Sequence, residues 1–174
     1  INDLDLAIDP THGVLISKFA DDSKLGKRIA SIQDCQSLQG ALNDLERWST
    51  MNGMRLHPAK CVVLHFGVNN PKHTYYINGL KISESEEVRD LGVLITNNSS
   101  QTAHVENVAR KAHAVLSQMK RTLTYRDSKV FVGIYKQYTR PILEFGVQAW
   151  NPAKVADVKT LESVQRRAFR LVTD

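Results

Sequence analysis

The sequence predicts an α+β protein, with short strands around one helix in roughly the first hundred residues and helices alone thereafter. Three observations support this prediction. Extended, β-branched runs alternate with turn signals up to residue 96, apolar residues then recur at helical spacing, and the net charge changes sign at the same point. Residues 1–96 carry 10 basic and 12 acidic side chains, whereas residues 97–174 carry 13 basic and 6 acidic ones. We therefore expect two sub-domains, 1–96 and 97–174, with different partners.

The first predicted element is a β-hairpin. Residues 14–19 (VLISKF) are β-branched and aromatic, the segment 20–22 (ADD) interrupts them, and residues 23–25 resume an extended pattern. The hairpin would therefore carry two carboxylates at its tip.

A helix is predicted next. Ser31 and Asp34 have the spacing of a capping box, with Asp in place of the usual Glu. Asn52-Gly53 is a helix stop signal. Between these signals, apolar residues repeat at intervals of three and four along one helix face: Cys35, Leu38, Leu42, Leu45 and Trp48.

More strands are predicted before residue 96. Residues 61–66 (CVVLHF) form a short apolar run, typical of a buried strand. Asn78-Gly79 lies between two extended runs and predicts a hairpin, because both residues tolerate the positive φ of a type I′ turn. Residues 91–95 predict a further strand.

Four helices are predicted after the polar segment 97–100. Asp127 is a candidate N-cap for the second of them, and Pro141 can open the third. The apolar stripes are Val105, Val108, Ala112, Val115, Leu116 and Met119 in the first, Val130, Phe131, Ile134, Tyr135 and Tyr138 in the second, and Val158, Leu161, Val164, Ala168 and Leu171 in the fourth.

The composition excludes several classes of protein. With 42% hydrophobic and 24% charged residues, the chain is globular rather than disordered. No apolar run approaches the ~18 to 20 residues that span a bilayer, so we expect no membrane protein. Two cysteines cannot build a disulfide scaffold and no secretory signal is present, which favours an intracellular, nuclear or cytoplasmic location. The chain begins with Ile1 and stops inside an amphipathic pattern at Asp174, so we expect a piece of a longer protein.

Asp21 and Asp22 are candidate metal ligands. Adjacent carboxylates at a turn repel each other unless cations neutralise them. Their oxygens suit Mg²⁺, and two such ions ~3.5–4 Å apart activate an attacking hydroxyl and stabilise a leaving oxygen in phosphoryl transfer. Asp is also a favoured turn residue, so the spacing alone leaves an ordinary surface turn open.

Several segments, in order, carry a family resemblance. FADD at 19–22 resembles the F/Y-x-D-D signature of reverse transcriptases, and ISKFADDSKL resembles its version in non-LTR (LINE-type) retrotransposons. Five further segments resemble motifs of that family: INDL at 1–4, LNDLERWSTMNGMRLHPAK at 42–60, DLGV at 90–93, RPILEFGVQAWNP at 140–152 and LESVQRRAFRLV at 161–172. The whole chain thus resembles the C-terminal palm and thumb of such an enzyme.

This resemblance implies roles for four polar or aromatic residues of the palm. Asp21 and Asp22 would be the paired aspartates that bind two Mg²⁺ ions, or Mn²⁺ in their place. Phe19 would lie near the 3′ end of the primer. Lys60 would lie near the phosphates of the incoming nucleotide, the alternative being an ordinary surface lysine before a strand.

The resemblance also implies contacts with nucleic acid. The hairpin at 75–82, together with Leu91 and Gly92, would form the primer grip; a strand with a close backbone approach is the other interpretation of these two residues. The helices after Ser100 would be the thumb. Basic side chains on its last helix are candidates for phosphate contacts: Arg166 and Arg170, which would share one face, and Arg167, which would be rotated away. A solvated basic face is the alternative.

The implied function is that of an RNA-directed DNA polymerase, which extends a DNA primer on an RNA template with deoxynucleoside triphosphates. The family's other metal-binding aspartate and its fingers precede the INDL segment and are absent from this sequence, and Ser23 replaces the usual threonine. We therefore expect the fragment alone to be inactive. Two alternatives remain: a decayed or truncated copy that at most binds nucleic acid, and a structural α+β protein in which FADD is merely a turn.

Overall fold

A computed structural model describes residues 3–123 and 127–173. Its residues form two compact units, Ile1–Glu86 and Glu87–Asp174. In the first unit the elements are α1 (Leu4–Ala7), a 3₁₀ turn (Pro10–His12), β1 (Leu15–Phe19), β2 (Asp22–Gly26), α2 (Ile32–Met51), a second 3₁₀ turn (Pro58–Lys60), β3 (Val62–Leu64), β4 (Tyr76–Ile77), β5 (Leu80–Lys81) and β6 (Ser83–Ser85). Ile1 and Asn2, the first half of the INDL segment, lie outside the described residues.

The second unit contains one hairpin and a set of helices. Its elements are β7 (Glu87–Asp90), β8 (Val93–Thr96), α3 (Thr102–Thr122), α4 (Ser128–Ile134), a π-helical turn (Tyr135–Thr139), α5 (Arg140–Glu144), α6 (Val147–Trp150) and α7 (Val155–Thr173). The α+β class expected from the sequence is thus observed. The units divide between Glu86 and Glu87, so the β7–β8 hairpin belongs with the helices rather than with residues 1–86.

Helix α2 organises the first unit. Its predicted start is confirmed, because the Ser31 hydroxyl accepts from the Asp34 N–H while the Asp34 carboxylate accepts from the Ser31 N–H. Its predicted end is also confirmed, since the helix ends at Met51 and Gly53 has a φ of +65°. The buried face of α2 contributes residues to two hydrophobic clusters. One cluster is Leu4, Ile8, Ala41, Leu45 and Trp48, and the other is Leu42, Tyr75, Ile77 and Ile82.

The strands of the first unit are short and paired in twos. The Asn78-Gly79 hairpin is confirmed, with φ angles of +51° and +70° in the turn between β4 and β5. The prediction of a buried strand at 61–66 is only partly right: β3 pairs in parallel with β6, but Val62 is 45% exposed. With a single partner strand, β3 has one edge and part of one face uncovered.

The core of the second unit is formed by α3, the helices between 128 and 144, and α7. Its buried residues are Val108, Ala109, Ala112, Leu116, Met119, Phe131, Leu143, Val164, Ala168 and Leu171. Asp127 caps α4 as predicted, accepting from the N–H groups of Lys129 and Val130. No helix among the described residues is long and apolar enough to cross a membrane.

The predicted third helix is continuous with the second. Pro141 lies near the start of α5, but the preceding turn is π-helical, and the Arg140 N–H bonds to the carbonyl of Tyr135, five residues back. Pro141 has no N–H and its ring crowds the preceding turn, which disrupts the ordinary ladder here. The wider turn shifts the helical phase. Tyr138, inside that turn, is accordingly exposed although the apolar stripe includes it. Val130 and Phe131 precede the turn and lie about 100° apart on the helix, so Phe131 is buried while Val130 is exposed.

The prediction of a strand over 91–95 is wrong at its start. Strand β8 begins at Val93, and Leu91-Gly92 form the two-residue turn between β7 and β8. Both have positive φ, +46° for Leu91 and +89° for Gly92. Leucine rarely adopts such an angle, so the conformational preference of Leu91 favoured a strand. The cross-strand pairing of Asp90 with Val93 places Leu91 and Gly92 in the turn instead.

Candidate functional site

The β1–β2 hairpin places both candidate aspartates at its tip. Phe19 pairs with Asp22 across the strands, so Ala20 and Asp21 form a two-residue loop and Asp22 opens β2. Both aspartates are exposed, and Phe19 is 61% exposed. Among the described residues, neither aspartate side chain has a hydrogen bond or an ion pair. Two adjacent carboxylates therefore face solvent, and no described Lys, Arg or His side chain forms an ion pair with them.

The tip contains an unfavourable backbone angle. Ala20 has a φ of +53°, a region that a residue with a Cβ enters at a cost of roughly 1–2 kcal/mol. Glycine is the usual residue at such a position in two-residue hairpins. The cross-strand pairs on both sides of the turn, from Leu15–Gly26 to Phe19–Asp22, offset this cost and fix the loop conformation.

The base of the hairpin is fastened to the rest of the first unit. Ile16 and Leu25, which pair across the strands, pack against the core beside α2. The ammonium group of Lys18 lies 2.7 Å from a carboxylate oxygen of Asp5. Lys27, just after β2, donates a 2.6 Å hydrogen bond to the carbonyl of His12. These contacts hold both strands, whereas the tip projects beyond them.

The segment that leads into β1 is docked on α2 through His12. Its Nε2 lies 3.3 Å from the Asp44 carboxylate, which also accepts from the Asp9 N–H at 3.0 Å. The ring lies directly over Gly40: a Cβ at that position would be 2.4 Å from Cε1 of His12. The chain thus enters β1 from a fixed point on the helix.

The donor set of the tip suits a hard cation in type. Mg²⁺ binds oxygen ligands, commonly one or two carboxylates together with waters and substrate phosphates. The described residues contain no group of three or more His, Cys, Asp or Glu side chains arranged to hold a metal. Asp21 and Asp22 therefore offer two ligands of the right chemistry, and other donors must complete the shell.

The other residues implied for the palm lie in different elements. Lys60 is exposed at the end of the second 3₁₀ turn, and no hydrogen bond or ion pair among the described residues joins it to either aspartate. Leu91 and Gly92 form the β7–β8 turn of the second unit, whereas the hairpin at 75–82 belongs to the first. A Cβ on Gly92 would lie 2.9 Å from Cε1 of Phe145, so the close approach at this turn is by the side chain of Phe145.

The three arginines of α7 have different surroundings. Arg166 and Arg170 are exposed, and Arg166 makes only a 3.8 Å pair with Glu162 and a 3.4 Å bond to the Lys159 carbonyl. Arg167 is half-buried against α3. Its guanidinium donates to the carbonyl of His113 at 3.1 Å and to the hydroxyl of Ser117 at 2.8 Å.

Arg167 also affects the imidazole of His113. A guanidinium nitrogen lies 3.3 Å from its Nδ1, and Nε2 lies 3.4 Å from the Ser163 hydroxyl. Burial, and then the charge of Arg167, lower the pKa of His113 below its ordinary value. Because the guanidinium can only donate, this contact is a hydrogen bond in the neutral imidazole whose Nδ1 accepts. No residue pattern indicates this polar cluster, because its α3 and α7 members are 50 or more residues apart in the chain.

The chain is similar to polymerases of mobile elements over nine-tenths of its length. It is 22% identical to the probable RNA-directed DNA polymerase from transposon BS of Drosophila melanogaster, covering 95% of the chain and 19% of that protein. It is 23% identical to the RNA-directed DNA polymerase from mobile element jockey of Drosophila funebris, covering 92% of the chain and 18% of that protein. It is also 23% identical to the probable RNA-directed DNA polymerase from transposon X-element of Drosophila melanogaster, covering 91% of the chain and 18% of that protein.

These similarities confirm the resemblance inferred from the motifs. The chain spans about a fifth of the length of the relatives it matches. No family model and no solved structure matches it.

Proposed function

We propose that this chain is part of the RNA-directed DNA polymerase of a non-LTR retrotransposon, with residues 1–96 as the C-terminal part of the palm and residues 97–174 as a thumb-like segment. One observation carries the proposal. The paired aspartates stand exposed at the tip of a tight hairpin, in a chain similar over more than 90% of its length to polymerases of that name. The polymerase's partners would be an RNA template, a DNA primer and deoxynucleoside triphosphates.

Asp21 and Asp22 would hold two Mg²⁺ ions, for which Mn²⁺ can substitute. When bound, such ions activate the primer 3′ hydroxyl and stabilise the leaving oxygen of the pyrophosphate. The two carboxylates bring negative charge and oxygen donors to the point where the phosphates arrive. The backbone of the hairpin brings both residues to one tip, and nearby placement of the two carboxylates spares the reaction part of the entropy of bringing them together.

Four further residues before position 97 are proposed to contact the substrates. The exposed ring of Phe19 would lie beside the primer end, on the strand position opposite Asp22. Lys60 would place its ammonium near the nucleotide's phosphates, where it offsets charge or donates a proton to the leaving pyrophosphate. The turn at Leu91 and Gly92 would touch the primer through backbone atoms that no large side chain covers.

The second unit, which we call the basic unit, would bind the primer–template duplex through its phosphates. Residues 87–174 carry 14 basic and 8 acidic side chains, and such an excess attracts a polyanion without reading its sequence. Arg166 and Arg170, both exposed, are the best placed contacts on α7. Arg167 would act indirectly, by holding α7 against α3.

The metal site can be tested in the full-length parent enzyme. The double variant Asp21→Asn/Asp22→Asn should lose primer extension, because removing both charges withdraws several kcal/mol of transition-state stabilisation. The matched control is Glu86→Gln, which removes one exposed acidic charge from the same unit without touching the hairpin. Undiminished extension by the double variant would refute the assignment.

A second test uses the 174-residue chain and needs no activity. Mn²⁺ added to the isotopically labelled protein should broaden the amide resonances of residues 20–23 first, because paramagnetic relaxation falls steeply with distance. The double variant should lose this broadening and Glu86→Gln should keep it. Uniform broadening of all acidic surfaces would contradict a specific site.

A binding module without catalysis is the second candidate, favoured by the positive charge of the second unit. Both candidates predict binding whose affinity falls log-linearly with salt, with a slope near −0.9 per phosphate neutralised. Only the polymerase predicts metal-dependent extension by the parent. Replacing Arg166 and Arg170 with Ala should flatten the salt slope by roughly one to two units. An unchanged slope would show that these arginines form only a solvated helix face and do not contact phosphates.

A further inference from the structure

The exposed face of α7 combines one aromatic ring with two guanidinium groups. Phe169 is 69% exposed, three residues after Arg166 and one before Arg170. Residues three and four apart are neighbours on a helix surface, so the ring lies beside Arg166 and Gln165. These residues line one open, shallow hollow: Gln165, Arg166, Phe169 and Arg170. The apolar core of the unit is on the opposite side of the helix, at Val164, Ala168 and Leu171.

From this arrangement we propose that the hollow on α7 takes an unpaired nucleotide of a single strand, with the base stacked on Phe169 and the flanking phosphates on Arg166 and Arg170. The inference rests on the proposed function, because it names the form of nucleic acid that this part of the basic unit prefers. It goes further in one respect: a duplex offers α7 only its backbone, whereas an exposed ring gains from a base that is free to stack.

The chemistry of the hollow favours nucleic acid over a protein partner. Aromatic rings beside a positively charged track are the recurring composition of single-strand sites, since every base has a π face and every linkage a negative charge. The ring is bordered by guanidinium groups, and the unit carries a net positive charge. An apolar protein surface would leave these guanidinium groups to be desolvated without partners.

The acid that pairs with Arg166 offers little competition. Glu162 lies 3.8 Å from Arg166, and both side chains are more than half exposed. Such a pair is weak and easily exchanged for a phosphate. Arg167, the third arginine, is turned towards α3 and lies outside the hollow. Among the described residues that line the hollow, the charged ones are Arg166 and Arg170.

The experiment compares two probes on the full 174-residue chain: a labelled single-stranded RNA of about twenty nucleotides, longer than a ~4–16 nucleotide site, and a blunt RNA–DNA hybrid of the same sequence. Phe169→Ala should weaken binding to the single strand about tenfold and leave the hybrid unchanged. Phe169→Leu, which keeps an apolar side chain without a π face, should behave like Phe169→Ala. Phe169→Trp should restore binding. The salt slope should stay constant throughout, because no charge changes.

The controls separate stacking from loss of structure. Val155→Ala removes an equally exposed apolar side chain from the first turn of the same helix and should alter neither probe. Circular dichroism and thermal unfolding should be the same for all variants, since Phe169 is mostly outside the core.

Failure of the inference differs from failure of the proposed function. If the wild-type chain binds both probes with a steep salt dependence but Phe169→Ala changes neither, only the stacking site is refuted. Equal weakening on both probes, or full binding by Phe169→Leu, also overturns it. If Phe169→Ala abolishes self-association seen by sedimentation while RNA binding is unchanged, the hollow is a protein interface and the inference is wrong. Absence of salt-sensitive binding by the wild type would refute the proposed nucleic-acid role itself.

Discussion

The imidazole Nδ1 of His104 accepts a hydrogen bond from the backbone N–H of Leu94 at 3.0 Å, which joins α3 to β8. His104 is only 3% exposed, and its ring meets that of Trp150 edge-on at a centroid distance of 4.7 Å. Its Nε2 is buried without a hydrogen-bond partner among the described residues. This histidine must therefore be neutral for the hairpin to stay docked on the helices.

The stability of the second unit should fall in mild acid. Burial, and then the charges of Lys111 and Arg89, lower the pKa of His104 in the native state. The unfolded imidazole titrates near 6.5. Below that pH the unfolded state binds more protons, so the free energy of unfolding decreases as pH falls, by at most ~1.4 kcal/mol per pH unit for one group, until the native imidazole is itself protonated. His113 contributes in the same direction.

The variant His104→Asn isolates the first histidine. An Asn oxygen can accept from the Leu94 N–H but does not titrate, so the pH dependence of stability should become shallower while the fold is retained. Urea unfolding between pH 7.5 and 5 measures both slopes, and equal slopes for wild type and variant would contradict this role of His104.

Gly92→Ala should destabilise the β7–β8 turn more than Gly79→Ala destabilises the β4–β5 turn. Both glycines are second residues of two-residue loops and have positive φ, so alanine strains the backbone at each by roughly 1–2 kcal/mol. Only at Gly92 would the new Cβ also meet a neighbour, 2.9 Å from the ring of Phe145, whereas Gly79 has nothing within 4 Å. Denaturant unfolding of both variants gives the difference, and equal losses would show that Phe145 moves aside freely.

Gly40→Ala and Gly133→Ala should differ although both glycines are helical. Alanine favours a helix by up to ~1 kcal/mol over glycine, and the Cβ at Gly133 meets nothing within 4 Å, so that variant should be more stable. At Gly40 the Cβ would lie 2.4 Å from the ring of His12 and would displace it from Asp44. We therefore expect Gly40→Ala to leave the free energy of unfolding unchanged or to lower it. A gain of equal size at both sites in thermal unfolding would show that His12 is not held on α2.

Arg167→Met should destabilise the second unit by about 1–3 kcal/mol, because the hydroxyl of Ser117 would lose its donor and the carbonyl of His113 would lose one of two, keeping the bond from the Ser117 hydroxyl. Arg166→Met on the neighbouring exposed position should stay within about 0.5 kcal/mol of wild type. The effects on RNA binding should have the opposite order. Arg166→Met should flatten the salt dependence of the RNA affinity more than Arg167→Met does. An Arg167→Met variant as stable as wild type would return Arg167 to the candidates for direct phosphate contact.

Local chemistry decided what the sequence could predict. The reciprocal hydrogen bonds of Ser31 and Asp34, the positive φ pair at Asn78-Gly79 and the cap at Asp127 each involve residues within three positions of one another. Such interactions form from the local chain alone, so a residue pattern is enough to reveal them. The family resemblance was equally visible, because motifs such as FADD are contiguous.

Tertiary contacts decided the rest. Leu91-Gly92 resembled a strand until cross-strand pairing set them in a turn against Phe145, more than 50 residues away. Helical spacing placed Arg167 on a different face of α7 from Arg166 and Arg170, but it did not identify the partners of Arg167. The packing of α7 on α3 supplies them, the carbonyl of His113 and the hydroxyl of Ser117, while Arg166 and Arg170 stay exposed. The partners of a side chain depend on which distant segment folds against it. Periodicity within one helix shows which face a residue lies on, but it does not identify that segment.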